Sequence, residues 1–165
     1  MDETPEPAPE PAARATPGCG ETGFVKASVY GAISSLIDWA GSGLACEGMP
    51  RPEGQGARMR FAGPVGDRDI AIIVAMPALT RESAGAELAS NVTLIEEGRG
   101  RFYSTADLDV CLTQIESMNA LDAAGDRYSI SGSVYCVSPL AEVNGDSSIS
   151  ISELTFSGIL DWNAS

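Results

Sequence analysis

The sequence contains no histidine in its 165 residues, and this absence argues against several kinds of site at once. Histidine is the commonest general base in enzymes, the usual base of a catalytic triad and the commonest ligand of zinc. No Gly-x-Ser-x-Gly nucleophile motif, phosphate-binding glycine loop or Cys-x-x-Cys pair compensates for it. We therefore expect a protein that is not an enzyme and that uses no cofactor and no metal ion.

Basic residues are scarce. Lysine and arginine together number 10 against 23 aspartates and glutamates, which gives a net charge of −13. Nucleic-acid binding depends on neutralising phosphates with basic side chains, and anionic membrane surfaces attract the same residues. The charge balance therefore excludes nucleic acid as a partner and argues against docking on a membrane surface. Solubility is the simplest interpretation of the negative charge, with calcium or a basic partner as alternatives.

No apolar run reaches the roughly 18 residues that a transmembrane helix requires. The first 20 residues contain five prolines and four acidic residues, a composition that cannot form a core and that favours extended chain. The sequence thus predicts a disordered acidic tether over residues 1–20 and a single domain over residues 21–165. Two interpretations of the tether stay open: a spacer behind a lipidated cysteine, or an ordinary disordered terminus.

From residue 22 onward, apolar and polar residues alternate with the period of β-strands, and we find no helical stripe. Residues 70–76 are apolar on both faces, which predicts a central buried strand. Asn144-Gly145 is a strong hairpin-turn signal. About eight to ten short strands follow from this pattern. We therefore predict an all-β fold, an antiparallel β-sandwich stapled by disulfides.

The last predicted strand, residues 148–162, changes phase. Ile149 and Ile151 face inward at odd positions, whereas Leu154 and Phe156 face inward at even positions. One extra residue in a strand reverses its two faces, so the pattern predicts a β-bulge near Glu153.

The four cysteines predict two disulfides and an oxidising compartment. Four cysteines allow three pairings, and loop geometry favours one of them. If the loop over residues 120–127 closes symmetrically, Cys111 lies opposite Cys136 across an antiparallel strand pair, at a separation that a disulfide can bridge. Cys19 and Cys46 then form the second bridge.

Two Asp-Trp pairs, Asp38-Trp39 and Asp161-Trp162, are the most distinctive polar–aromatic feature. A tryptophan beside a carboxylate is typical of a carbohydrate-binding platform, and it is equally typical of a core tryptophan at a strand end. Trp162 is in phase with Leu154 and the other inward residues of its strand, as Trp39 is with its own neighbours. The sequence therefore favours the core for both tryptophans.

Asp107 and Asp109 would share one face of the chain if their segment were extended. Such a pair could perform acid–base chemistry in a hydrolase or bind calcium through its oxygen atoms. A solvated loop edge explains the same pair more simply, and we favour it.

Residues 24–162 resemble the small β-sandwich domains of bacterial exported lipoproteins of unknown function. The resemblance rests on the acidic Pro-rich lead, on YSISGSVYC at residues 128–136 and on SISISELTFSG at residues 148–158. It implies a bacterial protein outside the cytoplasm, which is periplasmic, tethered to the outer membrane or secreted, and which contacts a membrane only through an N-terminal lipid anchor.

The expected function is a binding or structural module for another envelope or extracellular protein. The alternative is a carbohydrate-binding module that uses the two Asp-Trp pairs.

Overall fold

The computed structural model describes residues 19–52 and 54–164. Within them the chain forms eleven β-strands and one 3-10 turn (Gly41–Gly43), without an α-helix. The strands are β1 (Phe24–Gly31), β2 (Ser35–Ala40), β3 (Ala45–Pro50), β4 (Ala57–Val65), β5 (Arg68–Met76), β6 (Glu87–Glu97), β7 (Arg101–Ser104), β8 (Cys111–Ala120), β9 (Arg127–Cys136), β10 (Leu140–Glu142) and β11 (Ser148–Asp161). The predicted all-β class is confirmed. The sequence pattern missed β10, because three residues are too few to show an alternation.

All strand pairs are antiparallel, and the strands follow the order β2-β1-β11-β10-β7-β6-β5-β4-β3. A second connection runs from β6 through β8 and β9 to β11. Along one edge, β6 pairs first with β8 and then with β7. In the same way, one edge of β11 pairs first with β10 and then with β9. This sharing lets a single hydrogen-bonded sheet fold over into a sandwich.

One layer of the sandwich contains β2, β1, β11, β9 and β8, and the other contains β3, β4, β5 and β6. Their inward side chains meet in one core, where the rings of Phe61 on β4 and Phe156 on β11 lie 5.5 Å apart. The alternating residues Ile70, Ile72 and Val74 of β5 are buried in this core. On the opposite face of β5, Ala71 is buried as well, so β5 is the central strand that its apolar sequence predicts.

The predicted bulge in β11 is confirmed. Glu153 has a φ of 53°, and the register between β1 and β11 shifts so that Glu153 and Leu154 together lie opposite Ala27. Ile151 on one side of the bulge and Leu154 on the other are both buried. The extra residue therefore keeps both halves of β11 facing the core.

Both predicted disulfides are confirmed. Cys19 is bonded to Cys46 with 5.0 Å between their Cα atoms, and Cys111 is bonded to Cys136 with 4.0 Å between theirs. Cys111 and Cys136 are directly opposite each other in the β8–β9 ladder.

The loop register from which we derived that pairing is wrong by one residue. Ala120 pairs with Tyr128 and not with Arg127, because Leu121 donates its backbone N–H to Arg127 O inside the loop. An irregularity between Ile115 and Ser117 removes the one-residue offset before the cysteines are reached.

Two glycines allow the layers to approach closely where no strand ladder joins them. Gly48 on β3 lies against the backbone of β11, so a Cβ atom there would clash with Ile159 O and would lie 2.8 Å from Leu160 Cα. Gly63 on β4 lies beneath the indole of Trp39, where a Cβ would be 2.6 Å from Cδ2 of the ring. A side chain at either position would push the two layers apart.

We expect Gly48→Ala to lower the free energy of unfolding by about 1–3 kcal/mol, since the added methyl group meets rigid backbone. Gly43→Ala is the matched control, because a Cβ at Gly43 has no atom within 4 Å and should change stability by less than about 0.5 kcal/mol. Urea unfolding of both variants measures the difference. Equal stabilities would show that β3 can move away from β11 at little cost.

Candidate functional site

Trp39 belongs to the core. Its side chain is 4% exposed, and its indole N–H donates a hydrogen bond of 2.8 Å to the backbone oxygen of Pro64. Asp38, the preceding residue, points to the opposite side of β2 and is exposed. Neighbouring residues of a strand face opposite ways, so this Asp-Trp pair cannot present both side chains to one ligand.

Trp162 lies one residue beyond β11 and is half-buried, packed against the edge of the core. Its backbone N–H donates to Asp126 O at 2.8 Å, and the guanidinium of Arg81 lies 4.9 Å from the centre of its ring. The carboxylate of Asp161 accepts a hydrogen bond of 2.9 Å from the backbone of Asn163. Trp162 is thus less buried than its strand phase predicts, because the strand ends before it.

The two Asp-Trp pairs do not come together. Val25 pairs with Trp39 on one side and with Phe156 on the other, which places Trp39 level with Phe156 across the sheet. Trp162 is six residues farther along the chain, a distance of about 20 Å in extended strand. The structure therefore does not assemble one platform from the four residues.

Trp162 does border a cavity of about 390 Å³, which we call the Trp162 pocket. The residues that line it are Leu79, Thr80, Arg81, Glu82 and Trp162. The segment before β6 supplies most of this lining, and the chain terminus supplies the tryptophan. Nothing in the local sequence around Trp162 indicates that Arg81 covers its ring.

The loop between β8 and β9 holds Arg81 in place. Gly125 O accepts a hydrogen bond of 2.9 Å from Arg81 Nε, and a carboxylate oxygen of Asp126 lies 3.7 Å from Arg81 Nη2. The carboxylate of Asp122 orders the loop by accepting from the N–H groups of Gly125 and Asp126. The hydrogen bond from the backbone of Asp126 is the main cause that lowers the pKa of Asp122.

A buried carboxylate lies at the opposite end of the sandwich. Glu96 is 2% exposed, and its Oε2 lies 3.4 Å from Arg68 Nε and 3.2 Å from Arg99 Nε. Arg60 forms a second ion pair with Glu97. These arginines neutralise carboxylates of the same protein, so they do not form a free cationic surface.

Two further groups at this end have shifted pKa values. A hydrogen bond with the side chain of Tyr103 raises the pKa of Arg101. The Ser147 hydroxyl donates to Glu142 at 2.6 Å, which lowers the pKa of that carboxyl and stabilises the turn between β10 and β11. The lowered pKa of Glu142 marks a stable carboxylate and does not indicate a general base.

Asp107 and Asp109 do not share a strand face, because β8 begins only at Cys111. Asp107 instead accepts a hydrogen bond of 2.9 Å from the backbone N–H of Asp109 in a local turn. No group of three or more potential metal-ligating side chains occurs within residues 19–52 and 54–164.

The outward side of β1, β2, β8, β9 and β11 forms a broad surface, which we call the serine face. Hydroxyl groups line its centre, including those of Ser28, Ser117, Ser129, Ser131, Ser150, Ser152, Thr155 and Ser157. Four large apolar side chains project from the same face, namely Leu36 (77% exposed), Tyr30 (55%), Tyr135 (52%) and Leu112 (38%).

Leu112 and Tyr135 are directly opposite each other in the β8–β9 ladder. Our interpretation of the sequence did not single them out, because it followed the inward residues of each strand. The signal was present, since Tyr135 lies between the inward residues Val134 and Cys136 and is therefore outward by alternation.

No family model, no curated protein and no solved structure matches this chain. Among the described residues, no helix has the length and apolarity needed to cross a membrane. The two disulfides are consistent with an extracytoplasmic location. Its function must therefore be inferred from its surfaces and their chemistry.

Replacing the two tryptophans should separate a core residue from a surface residue. We expect Trp39→Ala to cost about 3–5 kcal/mol of stability, since it empties a buried site, and Trp162→Ala to cost clearly less. Denaturant unfolding measures both. In the intact protein, iodide should quench Trp162 more than Trp39, and the reverse order would contradict this assignment.

Asp122→Ala should release Arg81 from Trp162, because the loop loses the acceptor that orders Gly125. Asp122→Asn retains a side-chain oxygen and is the control. The pKa of Asp122 is lowered in the folded protein, so its ionised carboxylate stabilises the loop fully above pH 3.8, the ordinary pKa of aspartate. This stabilisation is lost only as the pH falls through the lowered pKa. The NMR signal of the Trp162 indole should shift in that acidic range in the parent protein. An unchanged signal in Asp122→Ala would contradict the linkage.

Proposed function

We propose that this protein is a non-enzymatic, extracytoplasmic module that binds another protein through the serine face. The observation that carries the proposal is the set of exposed apolar side chains, Tyr30, Leu36, Leu112 and Tyr135, on a face lined mainly by hydroxyl groups. The two tyrosines support it, because tyrosine is enriched at protein interfaces and at the positions that contribute most of the binding energy.

A binding role is also supported by the partners of the candidate catalytic carboxylates, which are other groups of the same protein. The buried carboxylate Glu96 is paired with two arginines, and Asp107 bonds to its own turn. The chain has no histidine to act as a base at neutral pH. A hydrolase with paired carboxylates therefore has less support than a binding protein.

The location that we propose is the bacterial envelope or its exterior. The two disulfides favour an oxidising compartment. The acidic Pro-rich residues 1–20 have the composition of a spacer, which would suit a domain held away from a membrane by an N-terminal lipid anchor or a domain that is secreted. The partner would then be another envelope or extracellular protein.

Site-specific photocrosslinking tests the proposal. A photoreactive phenylalanine analogue in place of Tyr135 or Leu112 should yield one discrete adduct in the intact cells that export the protein. The same analogue in place of Glu47, which is exposed on the outward face of β3, should yield none. The adduct at Leu112 should disappear when Tyr135→Ser is added. Equal adducts at Tyr135 and Glu47, or no adduct at Tyr135, would overturn the proposal.

A carbohydrate ligand is the second candidate, and the Trp162 pocket is the observation that favours it. A sugar ring would take the place of Arg81 on the indole of Trp162, beside the side chains of Thr80 and Glu82. If this candidate is correct, Trp162→Ala should lose retention on an insoluble polysaccharide that retains the parent protein. Trp39→Phe is the control and should be retained. Equal retention of the parent and Trp162→Ala would exclude the pocket.

A further inference from the structure

The sheet has one unprotected edge. In the part of the chain that the structure describes, β2 pairs with β1 alone, and no backbone hydrogen bond reaches its other side. The six residues of β2 contain no proline, and their register with β1 is unbroken. Natural edge strands usually carry prolines, bulges or lysines that prevent another strand from pairing with them. β2 has none of these, so its free N–H and C=O groups can accept an added strand.

The other terminal strand, β3, is protected. Cys46 ties it to Cys19, Gly48 packs directly against the backbone of β11, and the strand ends at Pro50. The two terminal strands of the described sheet therefore differ, and β2 is the one that is open to a partner strand.

Two depressions, which together we call the groove, lie at the two ends of the open edge. At the start of β2, a cavity of about 410 Å³ lies between Ser35 and the turn at Gly66. Beyond its end, a second cavity of about 470 Å³ lies between Gly43 and Pro64. On the far side, β3 begins opposite Ala62, so the last residues of β4 have no strand neighbour there. An extended chain placed along β2 thus has open space at both of its ends.

The charges around the groove indicate which kind of peptide segment would bind there. Asp38 projects from β2, while Asp67 and Asp69 line the two cavities. None of these three forms an ion pair with a cation of residues 19–52 or 54–164, although Lys26 lies directly opposite Asp38 in the β1–β2 ladder. Unpaired carboxylates in a protein of net charge −13 favour a basic occupant. Leu36, which is 77% exposed on the same face of β2 two residues from Asp38, offers an apolar contact to the aliphatic stem of a basic side chain.

We propose that β2 binds an extended basic segment of the partner protein as an added antiparallel or parallel strand. The segment alternates apolar residues with lysine or arginine, so that its backbone pairs with β2 while its basic side chains lie against Asp38. This inference rests on the proposed function and names the chemistry of the partner. Main-chain hydrogen bonds supply affinity in such complexes, and alternate side chains supply specificity.

Two end-blocked hexapeptides test the inference, one of alternating valine and lysine and one of alternating valine and glutamate. The valine–lysine peptide should bind the full chain, with amide exchange slowed and NMR shifts concentrated in β2. Methylation of alternate backbone nitrogens keeps the charge of the valine–lysine peptide but removes the N–H groups that would donate to β2. The methylated peptide should bind at least about tenfold more weakly. The valine–glutamate peptide should bind far more weakly.

Charge reversal on the protein provides the matched pair of variants. Asp38→Lys should weaken the valine–lysine peptide about two- to fivefold and strengthen the valine–glutamate peptide, as expected of one cross-strand charge pair. Glu87→Lys makes the same change in net charge on β6, away from the groove, and should leave the order of the peptides unchanged. Circular dichroism confirms that both variants are folded.

Three results would overturn the inference. Peptide binding that survives backbone methylation would indicate attraction to the net charge alone. Absence of binding would exclude strand addition at β2 while leaving the crosslinking test of the serine face unaffected. A dimer in size-exclusion chromatography with light scattering without peptide, with slowed exchange in β2, would assign the edge to a second copy of this chain.

Discussion

Glu153 inserts one extra residue into β11, and the arrangement of the whole sandwich depends on it. β11 is the only described strand that pairs with β1, β9 and β10, so it fixes the positions of three neighbours. Side chains alternate between the two faces of a strand, and the apolar residues of β11 are at odd positions before Glu153 and at even positions after it. In a regular strand these two sets would lie on opposite faces. The bulge resets the period, so that Ile149 and Phe156 both point inward although their numbers differ in parity. Without the bulge, one of the two halves of β11 would expose its apolar residues to solvent.

Among the described residues, no ladder joins the terminal strands β2 and β3 to the opposite layer, so the sheet that β11 organises stays open between them. Where the two layers meet without a ladder, Gly48 lies against β11, and Trp39 lies on Gly63 with its indole N–H bonded to Pro64. Close packing and one side-chain hydrogen bond thus hold the two layers together where no ladder joins them. The same arrangement leaves β2 with a free edge, so the proposed strand-binding surface is a consequence of how this sandwich is held together.

The sequence allowed the strands, the bulge and the cysteine pairs to be predicted, because each depends on local alternation or on separation along the chain. The pairing of Cys111 with Cys136 was correct even though the loop register was not. Two opposite offsets cancelled, one in the loop beside Leu121 and one in the irregularity after Ile115. Irregularities of this kind depend on individual backbone hydrogen bonds, which alternation does not reveal.

The candidate sites were less predictable, because they are made of residues far apart in the chain. By itself, the sequence determined an all-β fold with two disulfides, the absence of histidine and a net charge of −13. Only the tertiary structure decided that Trp39 is enclosed by Gly63 and Pro64 while Trp162 is left beside Arg81 and a cavity. It also decided which sheet edge is covered. Alternation specifies which side of a strand is apolar, whereas burial depends on what the rest of the fold places against that side.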